Sequence, residues 1–339
     1  MTDPAGVRVW RGGEIESLHR IHAAVVEGGR VARRHGEPAT RAYLRSSAKP
    51  FQLLPLVEEG LVERYGFSPP EIAVMAASHS GEPFHLEAVR SILGKADLSE
   101  DDLRCGGHEP FHAPTTEALR RSGEAPSALH DNCSGKHAGM LAVCRAMGWP
   151  LETYREPGHP LQRRILATLA EMAGMHEGDV GIAVDGCGVP TFALPVSAMA
   201  RAWAALAGAD AARSDERGRA VGTIFDSMAA HPEYVAGTGR MDTDVMVEAG
   251  EKVIVKTGAE GVFCAAVRAS GGRAPAGLAL KVADGTRRAQ DPALVALLAG
   301  LGLVDPASER LAAHARPAIV NRTGTEVGRI DARVPLEPA

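Results

Sequence analysis

The chain has 339 residues, enough for two average domains or one large one, and a hydrophobic fraction of 45% supports a sizeable core. Its formal net charge of -5, with no basic run interleaved with aromatic residues, argues against nucleic acid or an anionic membrane surface as a partner. Because the sequence has neither a charged-then-apolar leader nor about 18 uninterrupted apolar residues, we expect a cytoplasmic protein with no membrane span.

Hydrophobic patterning divides the chain into three parts. Alternating apolar residues predict an antiparallel meander over residues 7–34, with turns at Gly12-Gly13 and Gly28-Gly29. Helical periodicity prevails from about residue 45 to 235. After a first apolar segment that Pro55 must kink, it predicts helices at roughly 70–78, 84–94, 115–121, 136–147, 159–173, 195–207 and 215–229.

Strand patterns return between about residues 250 and 335. They predict strands at 253–255, 262–267 and 276–282, a helix at 291–301, and a last hairpin around Gly324. Strands at both ends of a chain with helices between them are typical of an α+β fold. We therefore predict one unit over residues 1–339, with an antiparallel sheet built from both chain termini (about 1–34 and 250–335) and a helical middle region.

A first candidate for chemistry lies at Ser46 to Pro50, where Ser46 and Lys49 are three residues apart at a predicted helix start. Residues three apart share one face of a helix, so Lys49 can come within hydrogen-bond reach of Ser46. A serine becomes a good nucleophile only when a base takes its proton, and a neutral lysine can do so. The alternative is an exposed serine and lysine in a first helical turn.

Two later stretches complete a pattern. Ser78-His79-Ser80-Gly81 follows an apolar run, and Lys256-Thr257-Gly258 ends an apolar strand. Ser-x-x-Lys, then a second serine element, then Lys-Thr-Gly is the order found in serine β-lactamases and penicillin-binding proteins, where the middle element is Ser-Asp-Asn. The ordered set favours acyl-serine chemistry on amides, in which Ser-Lys pairs replace a Ser-His-Asp triad.

Five longer stretches together resemble the asparaginase II family, the rhizobial-type L-asparaginases: Arg45 to Pro50, Ala77 to Glu82, Asp131 to Met140, Asp185 to Pro190 and Lys256 to Gly261. The resemblance implies a fold similar to glutaminases and serine β-lactamases, hydrolysis of L-asparagine to L-aspartate and ammonia, and a homodimer. By this resemblance Ser46 matches the nucleophile, Lys49 its partner, and Ser78 with Lys256 a second Ser-Lys pair. Which of the two serines is acylated stays open.

Cysteines suggest a second chemistry. The chain has five, an odd and sparse set that fits a reducing compartment: Cys105, Cys133, Cys144, Cys187 and Cys264. By the resemblance, Cys133, Lys136 and Cys187 form a zinc site, although two buried cysteines acting as small hydrophobic residues would explain the residues alone. Serine and lysine need no Lewis acid, so we expect zinc to support the site, not to perform the chemistry.

Asparagine carries an α-carboxylate and an α-ammonium, so its site should supply a guanidinium and a carboxylate. Arg45 and Asp185 are the candidates, although Arg45 could pair with a surface acid and Asp185 could cap a turn. His137 could ligate a metal or orient a ligand, and we include it among the substrate-binding residues.

Two further motifs do not support a function. The run His108 to His112 matches the zinc-peptidase pattern H-E-x-x-H, but Pro110 and the nearby glycines leave scarcely a turn of helix. The loop Gly237 to Arg240 lacks the strand and helix of a nucleotide site, and we interpret it as a turn or pocket rim. The alternatives to an asparaginase are an acyl-serine hydrolase acting on glutamine or a β-lactam, and a non-catalytic zinc-bearing binding module.

Overall fold

The computed structural model describes residues 5–208 and 215–339. They belong to two compact units, which we name by their main content. The sheet unit consists of Met1–Ser47, Ala193–Gly208 and Asp244–Ala339, and the helical unit of Ala48–Phe192 and Ala209–Thr243. The single amidohydrolase unit expected from the sequence stays a prediction, and the first four residues of its predicted strand region lie outside the described residues.

The strands of the described residues are β1 (Ala5–Arg11), β2 (Glu14–Glu27), β3 (Arg30–His35), β4 (Arg41–Tyr43), β5 (Gly181–Val184), β6 (Pro190–Pro195), β7 (Val253–Gly258), β8 (Val262–Val267), β9 (Ala276–Val282), β10 (Ala318–Val320), β11 (Glu326–Ala332) and β12 (Glu337–Pro338). In the sheet unit the order is β10-β11-β1-β2-β9-β8-β7, and β3 pairs with both β2 and β12. All of these pairs are antiparallel. The predicted α+β class, with a sheet built from both ends of the chain, is confirmed.

The neighbouring strands β8 and β9 are almost entirely apolar. Every residue of β8 is buried, as is nearly every residue of β9, which explains their continuous apolar runs. Gly277 in β9 lies directly under helix α8 (Val196–Ala207), where an added Cβ would be 2.1 Å from the carbonyl oxygen of Ala200. Only glycine permits this close approach, so α8 packs tightly on the sheet.

The described helices are α1 (Lys49–Glu58), α2 (Leu61–Tyr65), α3 (Pro69–Met75), α4 (Pro83–Lys95), α5 (Ala113–Ser122), α6 (Ser134–Met147), α7 (Pro160–Ala173), α8, α9 (Glu216–Ala230), α10 (Pro232–Val235), α11 (Met241–Ala249), α12 (Arg287–Gly300) and α13 (Ala312–Ala315). In the helical unit α6 is buried from Ser134 to Cys144, as expected of a central helix. Gly135 lets it approach α3, because an added Cβ would be 2.3 Å from the carbonyl oxygen of Val74.

Every helix predicted from periodicity is present, with ends shifted by a few residues. The short strands β5 and β6 are not predicted, since they fall inside the region assigned to helices. Among the described residues, no helix is both long and apolar enough to cross a membrane.

Candidate active site

Lys49 and Ser78 are brought together inside the helical unit. Lys49 is the first residue of α1, and Ser78 lies in the segment between α3 and α4. Lys49 is only 1% exposed, and its Nζ donates a hydrogen bond to Ser78 Oγ at 2.9 Å. The same amine donates to the carbonyl oxygen of Ala77 and, at 3.4 Å, to that of Asn132. All three acceptors are neutral oxygen atoms.

This arrangement suits proton transfer. A buried amine needs hydrogen-bond partners, and the two carbonyl oxygens supply them whichever way the hydroxyl of Ser78 turns. A neutral Lys49 amine can accept the Ser78 proton across their existing hydrogen bond. The spacing of Ser46 and Lys49 had drawn attention to the lysine, but its observed hydroxyl partner comes from a distant part of the chain.

Ser46 lies in the 3-10 turn Arg45–Ala48 that precedes α1, and it is half-buried. Arg45 has a φ of 50°, a left-handed conformation that is uncommon for a residue other than glycine and is often found at functional sites. Next to Ser46, the hydroxyl of Ser47 donates to the carbonyl oxygen of Lys256 at 2.8 Å. In the sheet unit, therefore, the turn that bears Ser46 is tied to strand β7.

Lys256 is fully buried in β7, and its Nζ donates to the carbonyl oxygen of Thr257 at 3.0 Å. Ser46 and Lys256 thus belong to the sheet unit, and Lys49 and Ser78 to the helical unit. Ser47, which ties the Ser46 turn to β7, was not among the predicted residues. Its place inside the first motif is the sequence feature that could have identified it.

Cys133, Lys136 and Cys187 form a second cluster, which lies within the helical unit. Cys133 and Lys136 lie at the start of α6, and Cys187 lies in the turn between β5 and β6. All three are buried, and Lys136 Nζ is 2.9 Å from Cys187 Sγ. The zinc site expected at these three residues stays a prediction.

The pKa values of the three side chains shift in different directions. A hydrogen bond from the Cys133 thiol lowers the pKa of Cys187 far below its ordinary value, and the charge of Lys136 adds to this effect against the opposing effect of burial. The same hydrogen bond, together with burial, raises the pKa of Cys133. Burial acts to lower the pKa of Lys136, but the electrostatic effect of the two cysteines outweighs it and raises that pKa. These directions favour a thiolate at Cys187 and an ammonium at Lys136.

The chemistry of this donor set fits zinc. Two sulfur atoms and one amine, already in mutual contact, are ligand types that zinc accepts, provided that Cys133 and Lys136 release their protons. Among the described residues, no group of three or more histidine, cysteine and carboxylate side chains is placed to hold a metal ion. The predicted site would therefore depend on Lys136 as a ligand.

Asp185 and His137 both border this cluster. Asp185 lies in the same turn as Cys187, where its carboxylate accepts from the N–H of Gly186 at 2.7 Å, and its charge contributes to the raised pKa of Lys136. His137 is fully buried, and its Nδ1 lies 2.5 Å from the hydroxyl of Tyr154. Burial, followed by the charge of Lys136, lowers the pKa of His137 to about 4, so its ring is neutral near pH 7. Their assignment to substrate binding stays a prediction, as does that of Arg45.

Asn132 connects the two groups of side chains and was missed by the sequence analysis. Its carbonyl oxygen accepts from Lys49 Nζ and, at 3.2 Å, from the N–H of His79. Its side-chain oxygen lies 3.0 Å from Cys133 Sγ. The residue lies inside the motif Asp131 to Met140, but nothing in that motif distinguishes its backbone carbonyl from the others.

The H-E-x-x-H run does not form the helix that a zinc peptidase needs. His108 and His112 precede α5 and are not helical. His108 Nε2 accepts from the N–H of Asn132 at 3.1 Å, while His112 Nδ1 lies 2.7 Å from Thr115 Oγ1. Each ring therefore has a local structural partner.

Comparison with known proteins gives one family. The L-asparaginase II family model matches residues 7–332. No curated protein matches the chain. Among solved structures, native Mglu in the presence of 4.3M NaCl is similar over 85% of this chain and 62% of its own, with 16% identity and a TM-score of 0.42. This chain thus spans less than two thirds of the Mglu chain.

Two beta-lactamases are also similar in structure. The enzyme from Burkholderia ambifaria aligns over 77% of this chain and 84% of its own, with 15% identity and a TM-score of 0.34. The enzyme from Burkholderia vietnamiensis aligns over 77% and 83%, with 17% identity and a TM-score of 0.36.

Proposed function

Since the chain belongs to the L-asparaginase II family, we propose that it hydrolyses the side-chain amide of L-asparagine to L-aspartate and ammonia through an acyl-serine intermediate. Membership of the family indicates a hydrolase that acts on a small molecule; the substrate and the mechanism are the proposal. The observation that supports it most directly is the buried hydrogen bond between Lys49 Nζ and Ser78 Oγ.

In the proposed reaction Ser46 Oγ attacks the amide carbon while its proton passes to the neutral amine of Lys49. The hydroxyl of Ser78 passes its proton to the leaving nitrogen and receives in exchange, across their hydrogen bond, the proton that Lys49 took from Ser46, as the carbon–nitrogen bond breaks and ammonia departs. Water then attacks the ester, and the serine recovers its proton. Backbone N–H groups near Ser46 and on the strand of Lys256 stabilise the oxyanion.

Arg45 and Asp185 are proposed to bind the α-carboxylate and the α-ammonium of the substrate, with His137 lining the site. Cys133, Lys136 and Cys187 would hold a zinc ion. When bound, zinc would supply positive charge that orders the pocket or holds the substrate. The three side chains themselves fix the start of α6. Through the contact of Cys133 with Asn132 they also fix the Asn132 carbonyl oxygen, which accepts from Lys49.

Ammonia release from L-asparagine tests the proposal, with L-glutamine and a chromogenic β-lactam as competing substrates. We expect L-asparagine to be preferred over L-glutamine, although one methylene separates the two and changes binding by only about 1–3 kcal/mol. No ammonia from either amide, with the protein folded, would favour a binding module instead.

Variants Ser46→Ala and Ser78→Ala separate the roles of the two serines. We expect each to lower kcat by about 10³-fold or more, because both take part in the chemical step. Intact mass after rapid quenching should reveal an acyl adduct on wild type and none on Ser46→Ala. An adduct that persists on Ser46→Ala and disappears from Ser78→Ala would transfer the nucleophile to Ser78.

We also propose, from the family resemblance, that the protein is a cytoplasmic homodimer. All five cysteines are free and buried, which is compatible with a reducing compartment. Light scattering at several protein concentrations measures the mass in solution, and cell fractionation measures the location. A mass of one chain at all concentrations would contradict the dimer.

A further inference from the structure

The segment that bears Ser78 is held along its length by a second segment of the helical unit, residues 235–240. At one end the N–H of Ser78 donates to the carbonyl oxygen of Val235 at 3.0 Å. In the middle Ser80 Oγ donates to the carbonyl oxygen of Ala236 at 2.9 Å. At the far end both carboxylate oxygens of Glu82 are engaged by Thr238, as described next.

Glu82 receives two hydrogen bonds from one residue. The N–H of Thr238 donates to Glu82 Oε1 and the hydroxyl of Thr238 donates to Glu82 Oε2, each at 2.8 Å. Glu82 is only 6% exposed, and Nε2 of the His112 ring lies 4.0 Å from its Oε2. A buried carboxylate is tolerated only when it is hydrogen-bonded, so the loop of Thr238 must stay in place for Glu82 to stay buried.

Gly237 makes this contact specific. Its φ is 133°, and an added Cβ would be 2.6 Å from both Glu82 Oε1 and Ser80 Oγ. Next to it in the same loop, Arg240 Nη1 donates to Ser80 Oγ at 3.1 Å. The two segments therefore fit at one register only, and a shift of either one would break several hydrogen bonds together.

We propose that Glu82, acting through Thr238, is a positioning residue that keeps Ser78 Oγ at hydrogen-bond distance from Lys49 Nζ. The proposal rests on the proposed function, because it assigns Ser78 to the chemical step. Lys49 also has an acceptor outside the segment of Ser78, the carbonyl oxygen of Asn132. The position of the Ser78 hydroxyl thus depends on its own segment, which Glu82 fastens at the end opposite to Val235. A misplacement of about 1 Å can lower a rate by about 10²-fold.

Four variants test the contact in pairs. Thr238→Val removes the hydroxyl of an exposed side chain, and Thr238→Ser keeps it. Glu82→Ala removes the carboxylate, and Glu82→Gln can keep both contacts, because its amide oxygen accepts from the N–H and its amide N–H₂ donates to the hydroxyl of Thr238. Thr223→Val is the control, since it removes a hydroxyl that bonds elsewhere in the helical unit, to the carbonyl oxygen of Arg219.

We expect Thr238→Val and Glu82→Ala to lower kcat for ammonia release from L-asparagine by about 10- to 100-fold, with KM changed by less than about threefold. Thr238→Ser, Glu82→Gln and Thr223→Val should stay within about threefold of wild type in both constants. Rescue by the conservative variants is the result that a general loss of structure would not produce.

Suppose that Ser78→Ala is inactive but Thr238→Val keeps the wild-type kcat or changes only KM. That result would overturn the positioning role of Glu82. If Glu82→Ala does not fold, the Thr238 pair decides the question. Full activity of Ser78→Ala would instead overturn the assignment of Ser78 in the proposed function, so the two failures are distinguishable.

Discussion

Two buried lysines of the helical unit, Lys49 and Lys136, differ in what they face. Both are at most 4% exposed, and both lie in the first turn of a helix. The described hydrogen bonds of Lys49 end on neutral oxygen atoms, whereas Lys136 faces the sulfur of Cys187. Residue type is the same and burial is similar, and the hydrogen-bond acceptors differ.

The difference predicts different chemistry. When Lys49 loses a proton, no hydrogen-bonded anion is left without a partner, and the amine can take a proton from a serine. When Lys136 loses its proton, the buried Cys187 thiolate loses its counter-charge, unless a metal ion replaces it. Lys49 therefore fits proton transfer, and Lys136 fits charge balance or metal binding.

The largest expected effect comes from replacing each lysine by methionine, which keeps most of the volume. Lys49→Met should lower kcat by about 10³-fold or more, because the general base is lost, whereas Lys136→Met should lower it by about 10-fold. Steady-state ammonia release measures both. Lys252→Met, at an exposed position, is the control and should match wild type. Equal losses in Lys49→Met and Lys136→Met would remove the distinction between the two lysines.

Zinc binding tests the role proposed for Lys136 in the comparison of the two lysines. Cys187→Ala should weaken zinc affinity by at least about 10- to 100-fold, since it removes a ligand, while kcat falls less than it does in Lys49→Met. Metal analysis after dialysis and competition with a chelator measure the affinity. Cys144→Ala, in the same helix α6 as Cys133 and Lys136, should retain the metal. Complete loss of turnover in Cys133→Ala, with substrate affinity unchanged, would contradict the supporting role expected of zinc.

The close packing of α6 on α3 should affect the free energy of unfolding more than the catalytic rate. Gly135→Ala should lower the free energy of unfolding by about 1–3 kcal/mol, because its Cβ would meet the carbonyl oxygen of Val74. Gly222→Ala is the matched control in helix α9, where an added Cβ meets nothing within 4 Å, and it should raise the free energy of unfolding by about 0.5–1 kcal/mol. Urea unfolding measures the change in the free energy of unfolding for both variants. Equal changes would show that helix propensity alone determines the effect.

A half-buried base, His314 of the sheet unit, is hydrogen-bonded to carboxylates, unlike the two lysines. Its Nε2 is 3.0 Å from Asp244 Oδ2 and its Nδ1 is 3.5 Å from Asp291 Oδ2. The hydrogen bond to Asp291, followed by that to Asp244, raises the pKa of His314 against the effect of burial. The folded state therefore binds the imidazole proton more tightly than the unfolded chain.

The stabilisation by His314 should be complete below about pH 6.5, the pKa of an unfolded histidine, and should disappear as the pH rises through the higher folded-state pKa. His314→Gln should lower the free energy of unfolding more at pH 5.5 than at pH 8.5, because the stabilisation depends on the protonated ring. Urea unfolding at the two pH values measures this difference. Asp291→Asn should reduce the pH dependence, and a larger loss at pH 8.5 would contradict the sign.

Much of this architecture could be predicted, because long periodic segments determine their own structure. The helix expected at 159–173 is observed as Pro160–Ala173, and the α+β class follows from the order of elements. Strand β5 is not predicted because two of its apolar side chains point outward, Ile182 being 45% and Val184 66% exposed. It therefore has no buried apolar face that would distinguish it within a helical region.

The candidate site likewise has residues that the sequence predicts and contacts that it does not. The motifs identified Lys49 and Ser78 by order and residue type, but the i,i+3 spacing pointed to Ser46 as the hydroxyl near Lys49. The observed bond joins Lys49 to Ser78, and the contact of Glu82 with Thr238 spans a larger separation still. Such contacts depend on how distant segments pack, which local periodicity does not encode. The loop Gly237 to Arg240 was accordingly interpreted as a turn or pocket rim.

The pairing of β1 with β11 has a consequence for how this protein is made. Val7 is paired with Ala332 and Trp10 with Arg329, so β1 must wait for a partner strand that is synthesised much later. Non-local pairing of this kind slows folding and leaves apolar strands uncovered during synthesis. The sheet therefore stays open along β1 while the residues between the two strands are synthesised, and chaperones would protect the chain most during that interval.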